Sequence, residues 1–199
     1  MAPVMVMSDH SPNPERSITE PVWNPVNPLS SSTVPADVLS WLVEPGSLTH
    51  RLQLACKGNI HVEIVSHCRQ RPMLNEASAL GMRHDEHALV RQVRLKCQQQ
   101  TWVFARSVIP FKTLTGRCRR LAHLGEKPLG AMLFADSSMH RDPVEIAMIT
   151  PRQPLFMAAV QNLKHKPKTI WGRRSVFYLD SKPLLVSEMF MPEVAKIKG

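Results

Sequence analysis

Residues 175–190, SVFYLDSKPLLVSEMF, read as two β-strands joined by a tight turn. In the second strand Leu184, Val186, Glu188 and Phe190 share one face, and Leu185, Ser187 and Met189 the other. Neither face has a solvated composition, so a strand of this kind belongs inside a covered sheet. Glu188 is then a carboxylate aimed into the interior.

The rest of the chain extends the same pattern. His61 to Cys68 alternates, with Val62 and Ile64 opposite His61, Glu63 and His67. In HALVRQVRLKC, residues 87–97, Leu89, Arg91, Val93, Leu95 and Cys97 form an apolar face carrying one arginine. TWVFARSVIP, residues 101–110, is a strand ending at its proline, and 142–148 is a further one. Helices are predicted over 36–43, stopped by Pro45-Gly46, and from Ser47, as a cap, through Cys56. Two more are predicted over 113–123 and 129–134. Strands outnumber helices and connections are short, which gives an α+β fold around a single antiparallel β-sheet. Residues 1–34 hold six of the 17 prolines and the run SSST, and read as a mobile arm with a turn anchored around Trp23. Residues 35–199 form one domain, with a basic, proline-punctuated insertion at 150–170.

The net charge of +9 favours anionic partners. Nucleic acid is not expected: the 47–56 helix offers one arginine to base edges, and one tyrosine and six phenylalanines give few stacking platforms. The four cysteines are widely spaced without a CxxC pair, so idle thiols in a reducing compartment are expected rather than disulfides or zinc. His84 and His87 have an HxxH spacing but sit in a polar turn, and no metal is expected there. No apolar run approaches the roughly 20 residues of a membrane span, and no leader pattern is visible, so a cytoplasmic location is expected. GxSxG, Walker and GxGxxG motifs are absent.

Arg91 and Glu188 are each the lone charge on an apolar strand face. Either they pair with each other as a buried salt bridge, which is a weak stabiliser once both desolvation costs are counted, or both line a closed pocket. In a pocket the arginine fork suits a carboxylate, and a buried glutamate can give or take a proton. The pattern alone leaves both open.

WLVEPGSLTHRL (41–52), ARSVIPFKTLTG (105–116), LGEKPLGAMLF (124–134), HRDPVEI (140–146) and IWGRRSVFYLDSKPLLVSEMFMP (170–192) follow one another along the chain. Together they resemble the chorismate pyruvate-lyases, which eliminate pyruvate from chorismate to give 4-hydroxybenzoate for ubiquinone synthesis. The resemblance spans residues 36–192. It implies an antiparallel sheet with helices on one side, helical flaps over an internal site, a monomer, and no cofactor. By resemblance, Arg91 binds the ring carboxylate with the backbone N–H groups of Leu48 and Leu129, and Glu188 meets the ring hydroxyl. The family commonly has methionine where Leu48 stands, but that contact is through the main chain. Effector domains of some bacterial transcription regulators resemble the same fold and are the alternative reading, though residues 1–34 are too short and proline-rich for a DNA-binding domain.

Overall fold

The structure is a computed structural model that describes residues 19–195 and 197. Its elements begin with β1 (Asn24–Pro25), α1 (Pro28–Ser31), α2 (Ala36–Leu42), α3 (Leu48–Ala55) and β2 (Ile60–Gln70). There follow α4 (Leu74–Ala79), β3 (Ala88–Cys97), β4 (Gln100–Pro110) and two 3₁₀ segments, Phe111–Thr113 and Gly116–His123. Then come α5 (Leu129–Phe134), β5 (His140–Arg141), β6 (Glu145–Ile149), α6 (Pro154–Val160), β7 (Ile170–Leu179), β8 (Lys182–Phe190) and α7 (Pro192–Ala195).

All strands join one antiparallel sheet in the order β1-β6-β7-β8-β4-β3-β2, with β5 on β7. The β7–β8 hairpin lies at its centre. Asp180 and Ser181 both take positive φ, as a two-residue turn matched to strand twist requires. β8 has neighbours on both edges and cover on both faces, hence its apolar sequence on both phases.

Two apolar clusters occupy opposite ends of one face. Trp41 and Leu42 of α2, with Leu48 and Leu52 of α3, pack on Val93, Val103, Ala105 and Phe190. Cys118, Leu121, Leu129 and Leu133 pack on Ile109, Phe177 and Leu184. These helices are the flaps the resemblance implies. The structure adds cover on the reverse face, from α4 and α6. α6 lies within the 150–170 insertion, where Leu155, Phe156, Ala159 and Val160 are core. The predicted helix at 113–123 is 3₁₀ instead. Cys118, Leu121 and Leu124 are buried at a spacing of three, the period of that helix. Arg117 and Arg120, also three apart, both reach Asp136.

Three expectations are overturned. Cys56 and Cys97 are bonded to each other, tying the end of α3 to the end of β3; sequence spacing cannot reveal that antiparallel pairing brings two distant cysteines together. The register of β2 against β3 shifts between Ile64 and Ser66, and one extra residue moves every later side chain to the opposite face. His67 therefore joins the phase of Val62 and sits opposite Arg91.

The third is the arm: the anchor expected around Trp23 is present, but docking extends through the described part, residues 19–34. β1 pairs with β6, and Trp23 lies against Gly172, where a Cβ would come within 3.3 Å of the indole and 2.9 Å of Ile149. Glu20 accepts hydrogen bonds of 2.8 Å from the N–H groups of both Leu74 and Asn75, closing the N-terminus of α4. Residues 1–18 of the predicted arm lie outside the described residues. Charge-assisted hydrogen bonds are worth about 1.5–3 kcal/mol, so Glu20→Ala is expected to lower the unfolding midpoint by several degrees. An unchanged midpoint would restore the mobile arm.

Candidate active site

Between the two apolar clusters of the flap-covered face runs a polar row. Arg91 on β3 is in register with Ser107 on β4, Ser107 with Val186 on β8, and Val186 with Ser175 on β7. Glu188 lies two residues along β8 on the same face. Its Cα is on the order of 12 Å from that of Arg91, given two interstrand spacings and two residues of rise. A substituted six-membered ring is of a size to fit between side chains at that separation.

Arg91 is 2% exposed. Its Nη2 donates to the carbonyls of Gly125 (2.9 Å) and Lys127 (3.2 Å) in the loop before α5, and its Nε is buried without a partner. Burial pushes its pKa below the usual arginine value. His67 across the strand pair has an orphaned Nε2. Its pKa is lowered by burial first, and then by the positive charges of Arg91 and His123. A buried cation with no carboxylate among the described residues is what an anion site presents before its ligand arrives.

Glu188 does not pair with Arg91. Its Oε2 accepts from Arg173 Nε at 2.6 Å, from the directly opposite position on β7. Arg173 is held in turn by the carbonyls of Trp41 (3.1 Å) and Glu44 (2.8 Å), in and just after α2. The structural reading of Glu188 was thus right in kind but named the wrong partner. Cross-strand pairing, which needs the register, is the signal that finds Arg173. Oε1 of Glu188 makes no hydrogen bond to a described residue. The Glu188 side chain keeps 18% exposure and Val186 is likewise only half-buried, although both sit mid-strand at the sheet's centre beneath the flaps. A gap therefore lies directly above them. Open surface hollows of about 650 Å³ beside Val22 and Met148, and about 680 Å³ beside His61 and Gln98, contain neither Arg91 nor Glu188.

Two of the flap helices start close to each other and offer backbone donors there. Leu48 is the first residue of α3, whose cap Ser47 accepts from His50 N–H, and Leu129 is the first residue of α5. First-turn N–H groups have no acceptor within their own helix. The two helix starts meet: a Cβ on Gly130 would be 3.5 Å from Thr49 Oγ1 and 3.6 Å from Ser47 Oγ. Among the described residues no three His, Cys, Asp or Glu side chains converge as a metal site would require.

A family model described as chorismate lyase matches residues 18–197. The chain belongs to the chorismate lyase family. A relative from Methylococcus capsulatus, named "Probable chorismate pyruvate-lyase", is 40% identical over 158 residues, covering 79% of this chain and 96% of its own. One of the same name from Coxiella burnetii is 37% identical, covering 85% and 91%. Among solved structures, the C-terminal domain of the histidine utilization repressor of Pseudomonas syringae superposes with a TM-score of 0.53 at 8% identity, covering 71% of this chain and 97% of that one. A GntR-family regulator from Bacillus cereus gives 0.52 at 10%, covering 71% and 98%. At such identities the likeness is one of fold alone. In this chorismate lyase family member, the match starts one residue before the described part of the arm, so the docked Glu20 and Trp23 fall within the family domain.

Proposed function

We propose that the chain is a chorismate pyruvate-lyase, converting chorismate to 4-hydroxybenzoate and pyruvate at the gap between Arg91 and Glu188. The observation that carries this is Arg91: buried, charged, without a carboxylate, and set across a ring-sized space from a carboxylate with a free oxygen. Family membership supplies the substrate. The ring carboxylate would be held by Arg91 and by the N–H groups of Leu48 and Leu129. The hydroxyl at the opposite end would lie against Glu188 Oε1.

The reaction is redox-neutral. The hydrogen on the hydroxyl-bearing ring carbon leaves as a proton, and its bonding pair completes the aromatic ring. The neighbouring C–O bond breaks with its pair to the enolpyruvyl oxygen. The enolpyruvate takes a proton on its methylene carbon and becomes pyruvate. Aromatisation drives these steps, so the protein's task is to orient the dianion, exclude water and assist proton movement. Glu188, fixed by Arg173, is placed for that last role. By resemblance a cytoplasmic monomer goes with this reading; the redox-neutral chemistry calls for no electron-carrying cofactor, and none of the described helices is long and apolar enough to cross a membrane.

The product keeps the carboxylate and the hydroxyl that the site grips, so it should inhibit, and flap opening should limit its release. Mixing the purified protein with chorismate is expected to produce 4-hydroxybenzoate absorbance. Added 4-hydroxybenzoate should slow that rise and raise the melting temperature of the protein. Binding without turnover would instead favour the effector-domain reading.

A further inference from the structure

Arg141 stands in the same situation as Arg91. Arg94, Arg106, Arg173 and Arg174 of the sheet each have a carboxylate within 2.8 Å. Half-buried Arg141 has no salt-bridge partner among the described residues. From β5 its Nε donates to Ser175 Oγ at 3.0 Å and its Nη1 to the carbonyls of Pro45 (3.1 Å) and Glu44 (3.4 Å). Its guanidinium carbon sits 5.2 Å from the centroid of the Phe177 ring. Nη2 makes no hydrogen bond to a described residue. Because Ser175, Val186, Ser107 and Arg91 are one cross-strand row, the two carboxylate-free arginines stand at its two ends. The exposed side of Val186 lies between them, with Glu188 alongside. Burial and then the charge of Arg173 weaken Arg141's hold on its proton, while Glu188 and Glu44 oppose this, so all four charges share one neighbourhood.

We propose that Arg141 is a second carboxylate subsite, holding the enolpyruvyl carboxylate of the substrate. This rests on the reaction proposed above. With the ring carboxylate on Arg91 and the hydroxyl on Glu188, the ether substituent leaves the ring at the carbon next to Glu188. The proposal turns that carbon toward β7, where Arg141 donates to Ser175. The subsite holds the part of the molecule that departs, and its charge offsets the negative charge that builds on the enolpyruvyl oxygen as the C–O bond breaks. 4-Hydroxybenzoate has no second carboxylate and makes no contact there. Arg141 therefore separates substrate from product, whereas Arg91 binds both.

The test compares kcat/KM for chorismate with the inhibition constant of 4-hydroxybenzoate in the full chain. In Arg141→Gln, kcat/KM is expected to fall at least tenfold while the inhibition constant stays within twofold; Arg141→Lys should recover part of the loss. A fall in kcat/KM matched by a comparable rise in the inhibition constant would overturn the subsite in favour of flap positioning through the Glu44 and Pro45 carbonyls. An unchanged kcat/KM would overturn it outright. If Arg141→Gln does not fold, Arg141→Lys alone decides: a fall in kcat/KM with the product constant unmoved supports the subsite, and any other pattern rejects it. If the wild-type protein does not turn chorismate over, the reaction fails first, and thermal shifts still judge the subsite. A larger shift with chorismate than with 4-hydroxybenzoate, lost in the arginine variant, supports it; equal shifts reject it.

Discussion

Arg91→Met is expected to abolish useful turnover and, at the same time, to make the ligand-free protein more stable. The loss follows from charge-assisted hydrogen bonds worth about 1.5–3 kcal/mol, so chorismate and 4-hydroxybenzoate should both bind at least tenfold more weakly. The gain follows from burial without compensation: Arg91 is 2% exposed, its Nε has no partner, and its acceptors are two carbonyls of an exposed loop that water can satisfy. Replacing buried ions by apolar side chains of similar length commonly stabilises by about 1–4 kcal/mol, or several degrees of melting temperature at this size. Chemical denaturation of both proteins without ligand, beside product titrations, measures the two halves separately. A variant that is less stable and still binds product would show that Arg91 is a structural group.

Glu188→Gln is the complementary case. The amide oxygen can still accept from Arg173 Nε, and Arg173 keeps the carbonyls of Trp41 and Glu44. What is lost is the charge and the ability to exchange a proton. General acid–base groups contribute about 10²–10⁴ in rate, so kcat should fall by at least about a hundredfold. Stability should fall by no more than about 3 kcal/mol, since the stranded partner keeps neutral acceptors. Steady-state kinetics and an unfolding curve on the same preparation decide. Turnover within a few-fold of wild type would leave Glu188 as nothing more than the counter-ion of Arg173.

Strand phase is a local property, and it identified the core strands, the central hairpin, and Arg91 and Glu188 as side chains facing inward. The partners of those charges were not legible, because Arg173 meets Glu188 only through the β7–β8 register. His67 was placed on the wrong face for a related reason: a single bulged residue inverts phase and leaves no mark in composition. The docked arm was hidden by its prolines, which suggest mobility. Its anchorage depends on Glu20 reaching the start of α4, more than 50 residues away. The role proposed for Leu48 and Leu129 runs through backbone N–H groups, so their side chains would carry no signal of it, and resemblance alone points to them.

The covered face of the sheet has two apolar foundations rather than one. α2 and α3 rest on the cluster around Trp41 and Phe190, and α5 on the cluster around Leu133 and Phe177. Where the flaps touch, the seam is made of small and polar groups, Ser47, Thr49 and Gly130. The flaps can therefore separate along that seam while each stays seated on its own core. In native-state hydrogen exchange, the amides at the starts of α3 and α5 should trade protons through this local opening at far lower free energy than those of β4 and β8. Bound product, bridging both helix starts, should close that difference.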